Sequence, residues 1–598
     1  MKLSKLFAVP CLVAVAAAFS GVALAAPSSY QIKVLTVGSS AQYGVFAEAA
    51  YQLAKAEGSP AHYTLKGGTN AWVNDSRTSG TITVPNEYGN LWVVWSQTTG
   101  DIWAYLSVDS TVGVRAFQAV PRTTLGLAAL ASLPVSATTN LFVWDDGSKD
   151  TALTTGAYDA IASKAFTAAN TDIRPEDALF ATRRSLAALD ATDYTGLGYG
   201  SSPTQLVATN KILGEVTSGS EANPVNFELS FSTDSFAGKD PFTKEAVPAF
   251  VTIPIGAAPI VFIANNTDAT GLAEVKNITS AEALKLFSGT ECDDSVLGGA
   301  SSIAVYPFLR EPLSGTMNTT EFGVFRTTSP WATSQEEGIK PTAANSNPLN
   351  LPCKAGAGKR QRAIGTGDVV KGVHNQEDGI GYVFFSYEAL NGKNSADGGN
   401  IVNSSNVENV KYLQLNGVDP INATYTAGAI PVCGSATSPD FSCAPATPSS
   451  TFPNLRNGTY KAWSEYRIIT DATGEANAQA LVTKADYVAD NTLPDFVPFA
   501  AVCGSSSSKD EPGLTVYREH FTITSTSTSA PSYGIAPINA DNGSIPATVK
   551  CSGLPARSLV GRTIGGTTER GGDVGGTIVY TAPGATPVNT IETTPIHY

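Results

Sequence analysis

The run from Val251 to Ala264 constrains the fold most: Val-Thr-Ile-Pro-Ile-Gly-Ala-Ala-Pro-Ile-Val-Phe-Ile-Ala is almost continuously apolar. Such a run has no polar face to give to water, so it reads as a strand inside a sheet that is covered on both sides. Pro254, Gly256 and Pro259 interrupt it, as expected where a chain crosses from one domain to another. Gly379-Ile-Gly-Tyr-Val-Phe-Phe-Ser-Tyr387 is a second strand-like run and a candidate for the return crossing. A chain of 598 residues is also too long for one compact core, so two or more domains are expected.

The first 25 residues read as a secretory signal: basic Lys2 and Lys5, a largely apolar Leu6 to Ala18, and a small-residue cleavage site at Ala23-Leu24-Ala25. No later run reaches the roughly 18 apolar residues of a membrane span, so a periplasmic or secreted protein is expected. Loss of the two lysines takes the formal charge from -14 to -16, which argues against nucleic acid or an anionic membrane as partner. A small anion stays admissible, because one local site can be positive on an acidic protein. Six cysteines remain beyond Cys11, an even number that suggests disulfides. The short Ser-, Pro- and Gly-containing loop between Cys433 and Cys443 makes that pair the first choice, with Cys503–Cys551 and Cys292–Cys353 left by elimination.

The segment with most chemical content is Arg310-Glu-Pro-Leu-Ser314-Gly315-Thr316. It follows the strand-like Ile303–Leu309 and precedes a segment able to start a helix. Ser314 is a natural N-cap, Gly315 lets a ligand approach the backbone, and Thr316 adds a hydroxyl. A helix start offers unpaired N–H groups and partial positive charge to an anion. Arg310 adds a planar fork that grips a phosphate or carboxylate through two bonds. The plain alternative is a helix cap beside a surface arginine.

Other segments read as α/β pieces. Val34–Val37 is a buried strand; Gly38–Tyr43 is a loop; Phe46, Ala49, Ala50, Leu53 and Ala54 keep helical spacing up to Gly58. Strands follow at 81–84, 91–95 and 102–108. Asp109-Ser110-Thr111 reads as a cap or a polar loop, and Asp172 as a loop residue before a helix starting at Pro175. Thr279-Ser-Ala-Glu282 is a capping box, with Gly289 as the stop. A strand over 460–469, a helix over 475–489, a linker at 505–513 and a Thr-, Ser- and Gly-rich β-like tail complete the chain. No nucleophile–base motif, phosphate-loop lysine motif or metal-spaced histidine set is present, so no catalytic residue, cofactor or metal is expected and the chain reads as a non-enzyme.

The order of these pieces resembles the phosphate-binding protein of bacterial ABC-type phosphate transporters, a periplasmic binding protein of the two-lobed type II kind. The resemblance rests on the opening strand, loop and helix at Val37 to Tyr43, on Asp109-Ser110-Thr111-Val-Gly113, and on Thr171-Asp172. It rests most on Arg310 with Ser314-Gly315-Thr316, followed by Gly379-Ile-Gly-Tyr-Val383. It implies an α/β two-lobed fold with β-rich insertions and a β-rich C-terminal tail. The first lobe would span 26–256, the second 257–387, a return segment 388–503 and an extension 504–598. It further implies that Ser110 and Asp172 face Arg310, Ser314, Gly315 and Thr316 across a phosphate, with Gln42 and Tyr43 where the family has a Thr-Phe pair. The expected protein is a monomer that captures inorganic phosphate, with an ABC transporter membrane complex as partner. The Gln42-Tyr43 pair keeps another oxyanion or a carboxylate open as ligand, and the insertions keep open an exported surface protein that reuses the fold.

Overall fold

The computed structural model describes residues 29–173 and 250–498 with internal gaps, the longest being 135–149 apart from Trp144, 326–350, 391–407 and 432–450. A few residues near 240–245 and short strands between 516 and 574 are described as well. The signal segment 1–25, the helix expected from Pro175 and the pairs Cys433–Cys443 and Cys503–Cys551 lie outside the described residues.

The protein is mixed α/β, built on a large mixed sheet of 13 strands. Its elements used below are β1 (Gln31–Ser39), α1 (Tyr43–Glu57), β2 (Pro60–Leu65), β3 (Asn90–Ser96), β4 (Asp101–Val108), α2 (Ser110–Phe117) and β5 (Ala168–Thr171). They continue as β6 (Val251–Asn265), α3 (Ser280–Phe287), β7 (Tyr306–Arg310), α4 (Gly315–Thr320), β8 (Lys359–Ala363), α5 (Gly365–Asn375), β9 (Gly379–Phe384), β10 (Trp463–Thr470) and α6 (Glu475–Asn491). From one edge the order is Leu351–Pro352, β8, β7, β9, β6, β10, β5, β1, β4, β3, β2.

The apolar run at 251–264 is β6, and its length joins the sheet's two halves. Val251 to Pro259 pair antiparallel with β10, after which Ile260 to Ala264 pair antiparallel with β9. The register slips between Pro254 and Gly256, where a proline without an N–H interrupts the ladder. In the first half, β1 lies parallel to β4 and β5. In the second, β7 lies parallel to β8 and β9. Each half therefore presents the carboxyl ends of parallel strands, the place where an α/β sheet offers loops and helix starts to a ligand.

Helices cover both faces. One core runs along a single face through both halves and takes in Phe46 of α1, Leu286 of α3, and Leu481 and Val488 of α6, against Val34, Ile260 and Tyr382. The opposite face holds one core per half: α2 with β1 to β4 in the first, α5 with β6 and β9 in the second. Full burial explains why the strands read as continuous apolar runs. The capping box at Thr279 and Glu282 forms both of its bonds.

The segment around Val410, Tyr412, Ile421, Phe452 and Leu455 packs with β6 and β9 of the second half. One expectation about a strand needs adjustment. The strand expected over 81–84 is a two-residue piece, Ile82–Thr83, paired with Thr78–Ser79. Cys292 and Cys353 are joined, with Cα atoms 6.0 Å apart, which is the pair reached by elimination. The extension contributes short strands, including Val516–Thr522 paired with Ser532–Pro537.

Candidate functional site

Three strand ends of the first half and two of the second meet at one buried polar place. β1 ends at Ser39 and continues through a short 3-10 turn, Ser40–Gln42, into α1. β4 leads through Asp109 into α2, so Ser110 is that helix's first residue. α2 can sit this close because Gly113 faces the end of β1; a Cβ there would lie 2.5 Å from the Gly38 Cα. β5 delivers Asp172 one residue past its end.

These residues bind one another tightly. The Ser110 hydroxyl donates to Asp172 Oδ1, while the Asp172 backbone N–H donates to Ser110 Oγ at 3.2 Å. Ser39 Oγ donates to Asp172 Oδ2 at 3.4 Å, and Ser464 of β10 donates to the Asp172 carbonyl at 2.8 Å. Asp172 is fully buried, and burial pushes its carboxyl up to about 6, against the opposing pull of the Ser110 bond and the Arg310 charge.

The second half supplies the cation. Arg310 is the last residue of β7, and its backbone N–H donates to the Tyr382 hydroxyl of β9 at 3.4 Å. Its Nη1 donates to Thr316 Oγ1 at 3.1 Å and Thr366 Oγ1 at 3.4 Å. Its Nη2 reaches across to Asp109 Oδ1 at 3.3 Å. Ser314 caps α4 as its sequence position suggested: the Met317 N–H donates to Ser314 Oγ at 3.3 Å. Gly315 lies directly against the first half, and a Cβ on it would fall 1.6 Å from Asp172 Oδ1 and 2.9 Å from Ser110 Oγ. Only a glycine lets the two halves come this close.

The structure thus gathers Ser110, Asp172, Arg310, Ser314, Gly315 and Thr316. It turns the side chains of Gln42 and Tyr43 elsewhere. Gln42 donates to the Thr171 carbonyl at 2.9 Å and accepts from Asn170 Nδ2 at 2.8 Å, so its amide closes the end of β5. Tyr43 packs edge-on to Tyr105, with ring centroids 5.8 Å apart, inside the core.

Three residues escaped sequence reasoning. Thr366, the second residue of α5, bonds Arg310 and lies 3.3 Å from Ser40 Oγ of the other half. Its signal was present: Gly365-Thr366-Gly367 follows a strand and precedes Val369, Val370 and Val373, the same strand–glycine–threonine–helix pattern as at Gly315-Thr316. Asp109 was read as part of a cap or polar loop, with no role of its own. Ser39 was hidden in an unremarkable loop.

Chemically, the place offers a guanidinium, several hydroxyls and the start of a helix to a negative group, together with one carboxylate that accepts a hydrogen. No family model matches the chain, and no curated protein does. Solved structures match in part. A phosphate-binding protein from Stenotrophomonas maltophilia is 15% identical over 64% of this chain and 76% of its own, with a TM-score of 0.27. An ABC-type phosphate transport receptor from Vibrio cholerae is 13% identical over 40% and 69%, with a TM-score of 0.23. A human phosphate-binding apolipoprotein is 14% identical over 56% and 76%, with a TM-score of 0.24. No described helix is long and apolar enough to cross a membrane.

Proposed function

We propose that the protein is an exported solute-binding protein that captures inorganic phosphate between the two halves of its sheet and delivers it to an ABC-type membrane transporter. The observation that carries this reading is the convergence on Arg310. Thr316 and Thr366 from its own half and Asp109 from the other all lie within hydrogen-bonding range of one buried guanidinium. Around it, Ser110, Ser314 and Gly315 bring hydroxyls and a helix start, groups that suit oxygens arranged tetrahedrally around a charged centre.

Asp172 supplies the reason to choose phosphate. An ionised carboxylate only accepts, so in a dry site it needs a donor opposite it. Phosphate near neutral pH carries a proton it can donate; sulfate carries none and would set acceptor against acceptor. An unpaired buried acceptor costs about 1–3 kcal/mol. The two halves act as lobes that close on the ligand, the first formed by about 26–256 with the chain from about 463 onward, the second by about 257–455.

A second reading, capture of another oxyanion or a carboxylate, draws on Gln42: its amide is spent on β5, leaving the first loop with one side-chain donor fewer than a ligand-facing residue would give. Equilibrium dialysis of the purified protein with radiolabelled phosphate tests the proposal. One saturable site per chain, displaced by unlabelled phosphate and not by sulfate or simple carboxylates, is expected. Displacement by sulfate or a carboxylate at equal concentration would favour the second reading, and no retained phosphate would reject the first.

A further inference from the structure

Besides the contacts made by Gly315 and Arg310, the two halves meet through a pair of hydroxyls. The 3-10 turn Ser40–Gln42, which follows β1 of the first half, lies against the start of α5 in the second. There Ser40 Oγ and Thr366 Oγ1 are 3.3 Å apart. Thr366 is buried and Ser40 half-buried. Local structure does not account for Ser40: the turn is capped by Ser39, whose hydroxyl accepts from the Ala41 N–H at 3.3 Å.

The chemistry of the pair gives the contact a direction. A guanidinium only donates, and Arg310 Nη1 donates to Thr366 Oγ1 at 3.4 Å. The Thr366 oxygen is thereby used as an acceptor, which leaves its own hydrogen for Ser40. A chain of bonds then runs from Arg310 to Thr366 to Ser40 and crosses from one half to the other. Bonds linked in this way polarise one another.

We propose that Ser40 and Thr366 form a latch that holds the two halves together over the bound anion without touching it, and so sets how long the anion stays. This inference rests on the reading of the site as a phosphate site between two closing halves. One hydroxyl belongs to each half, so the bond exists only in the closed form and favours closure by its own free energy. The latch differs in kind from Arg310 and Asp172. Those two face the anion and decide which one binds, whereas the latch acts after the anion has entered.

The test uses the full-length protein with Ser40→Ala, Thr366→Val, the double variant, and Thr366→Ser, which keeps the hydroxyl. Affinity for inorganic phosphate is measured by calorimetry, and circular dichroism confirms the fold. Release is followed by diluting protein loaded with radiolabelled phosphate into excess unlabelled phosphate. A neutral hydrogen bond is modest, so Ser40→Ala should bind phosphate about two- to tenfold more weakly. The loss should lie in faster release, with association unchanged. Thr366→Val should be weakened at least as much, because it also loses the bond from Arg310. In the Thr366→Val protein, adding Ser40→Ala should cost nothing further, since the shared bond is already gone. Thr366→Ser should stay close to the wild type. Should the buried Thr366→Val fail to fold, affinity and release in Ser40→Ala decide the matter alone.

A Ser40→Ala protein with wild-type affinity and release would remove the latch and leave the phosphate reading standing. Losses that multiply in the double variant, or slower association with unchanged release, would also overturn the inference. A wild type that retains no phosphate would bring down the phosphate reading, and this inference with it.

Discussion

Arg310 is the cation of the site, in reach of Thr316 and Thr366 of its own half and of Asp109 of the other. A charge-assisted hydrogen bond contributes about 1.5–3 kcal/mol, and a forked contact makes two. Arg310→Ala should therefore weaken phosphate binding at least about a hundredfold, since each 1.4 kcal/mol is a factor of ten. Calorimetry returning the wild-type affinity would remove Arg310 from the site. Asp172 gives a prediction with a sign. Its carboxyl is pushed up to about 6, so above that pH it is ionised and only accepts, and below it the protonated group can donate. Discrimination against sulfate should be strong at pH 8 and fade as the pH drops through about 6. Asp172→Asn, which can donate at any pH, should lose that pH dependence. Competition binding at pH 5 and pH 8 checks both; a selectivity that ignores pH in the wild type would make Asp172 a turn residue. The same raised value acts on stability. The native state holds the proton more firmly than the unfolded chain, so this group's contribution falls as pH rises from about 4 to about 6.

At the scale of elements, the starts of α2, α4 and α5 and the strand ends before them make the site, and glycine decides whether they meet. Gly315→Ala is a mild change for a helix, since alanine is the better helix former. Its methyl would nevertheless fall 1.6 Å from Asp172 Oδ1. The variant should keep its helix content by circular dichroism yet bind phosphate at least about tenfold more weakly in dialysis. Unchanged affinity would show that α4 and the Asp172 turn do not need to touch. Elements were also where the sequence was most readable. Capping signals act within one turn, so the box at Thr279–Glu282 and the cap at Ser314 could be seen locally and formed as expected. The strands 91–95 and 102–108 were plain for a similar reason: long apolar runs between turn residues leave little choice. What Asp109 and Gln42 do was not readable, because it is decided by residues on other elements. The cap that Asp109 declines, and the strand end that Gln42 closes, are choices made by tertiary neighbours.

For the molecule as a whole, β6 is the structural pivot, since it pairs with β10 in one half and β9 in the other. The crossing was legible because an unbroken apolar run of that length can only be buried on both faces. Less legible was the place of Val410, Tyr412, Ile421, Phe452 and Leu455: apolar residues carry no mark that says which half they cover, and these pack on the second. Binding groups split between two halves engage together only in the closed form, so ligand favours closure by its differential affinity. Small-angle scattering should therefore give a smaller radius of gyration with saturating phosphate, and an unchanged profile would argue for a fixed scaffold. The most direct check of the central claim is a crystal structure of the protein grown with phosphate, with the anion identified from its anomalous or difference density. The anion is expected between the two halves, within hydrogen-bonding distance of the Arg310 guanidinium, the Ser110 hydroxyl, the α4 start and the Asp172 carboxylate. A closed structure with that place filled only by the protein's own side chains, or with the anion bound elsewhere, would contradict the account.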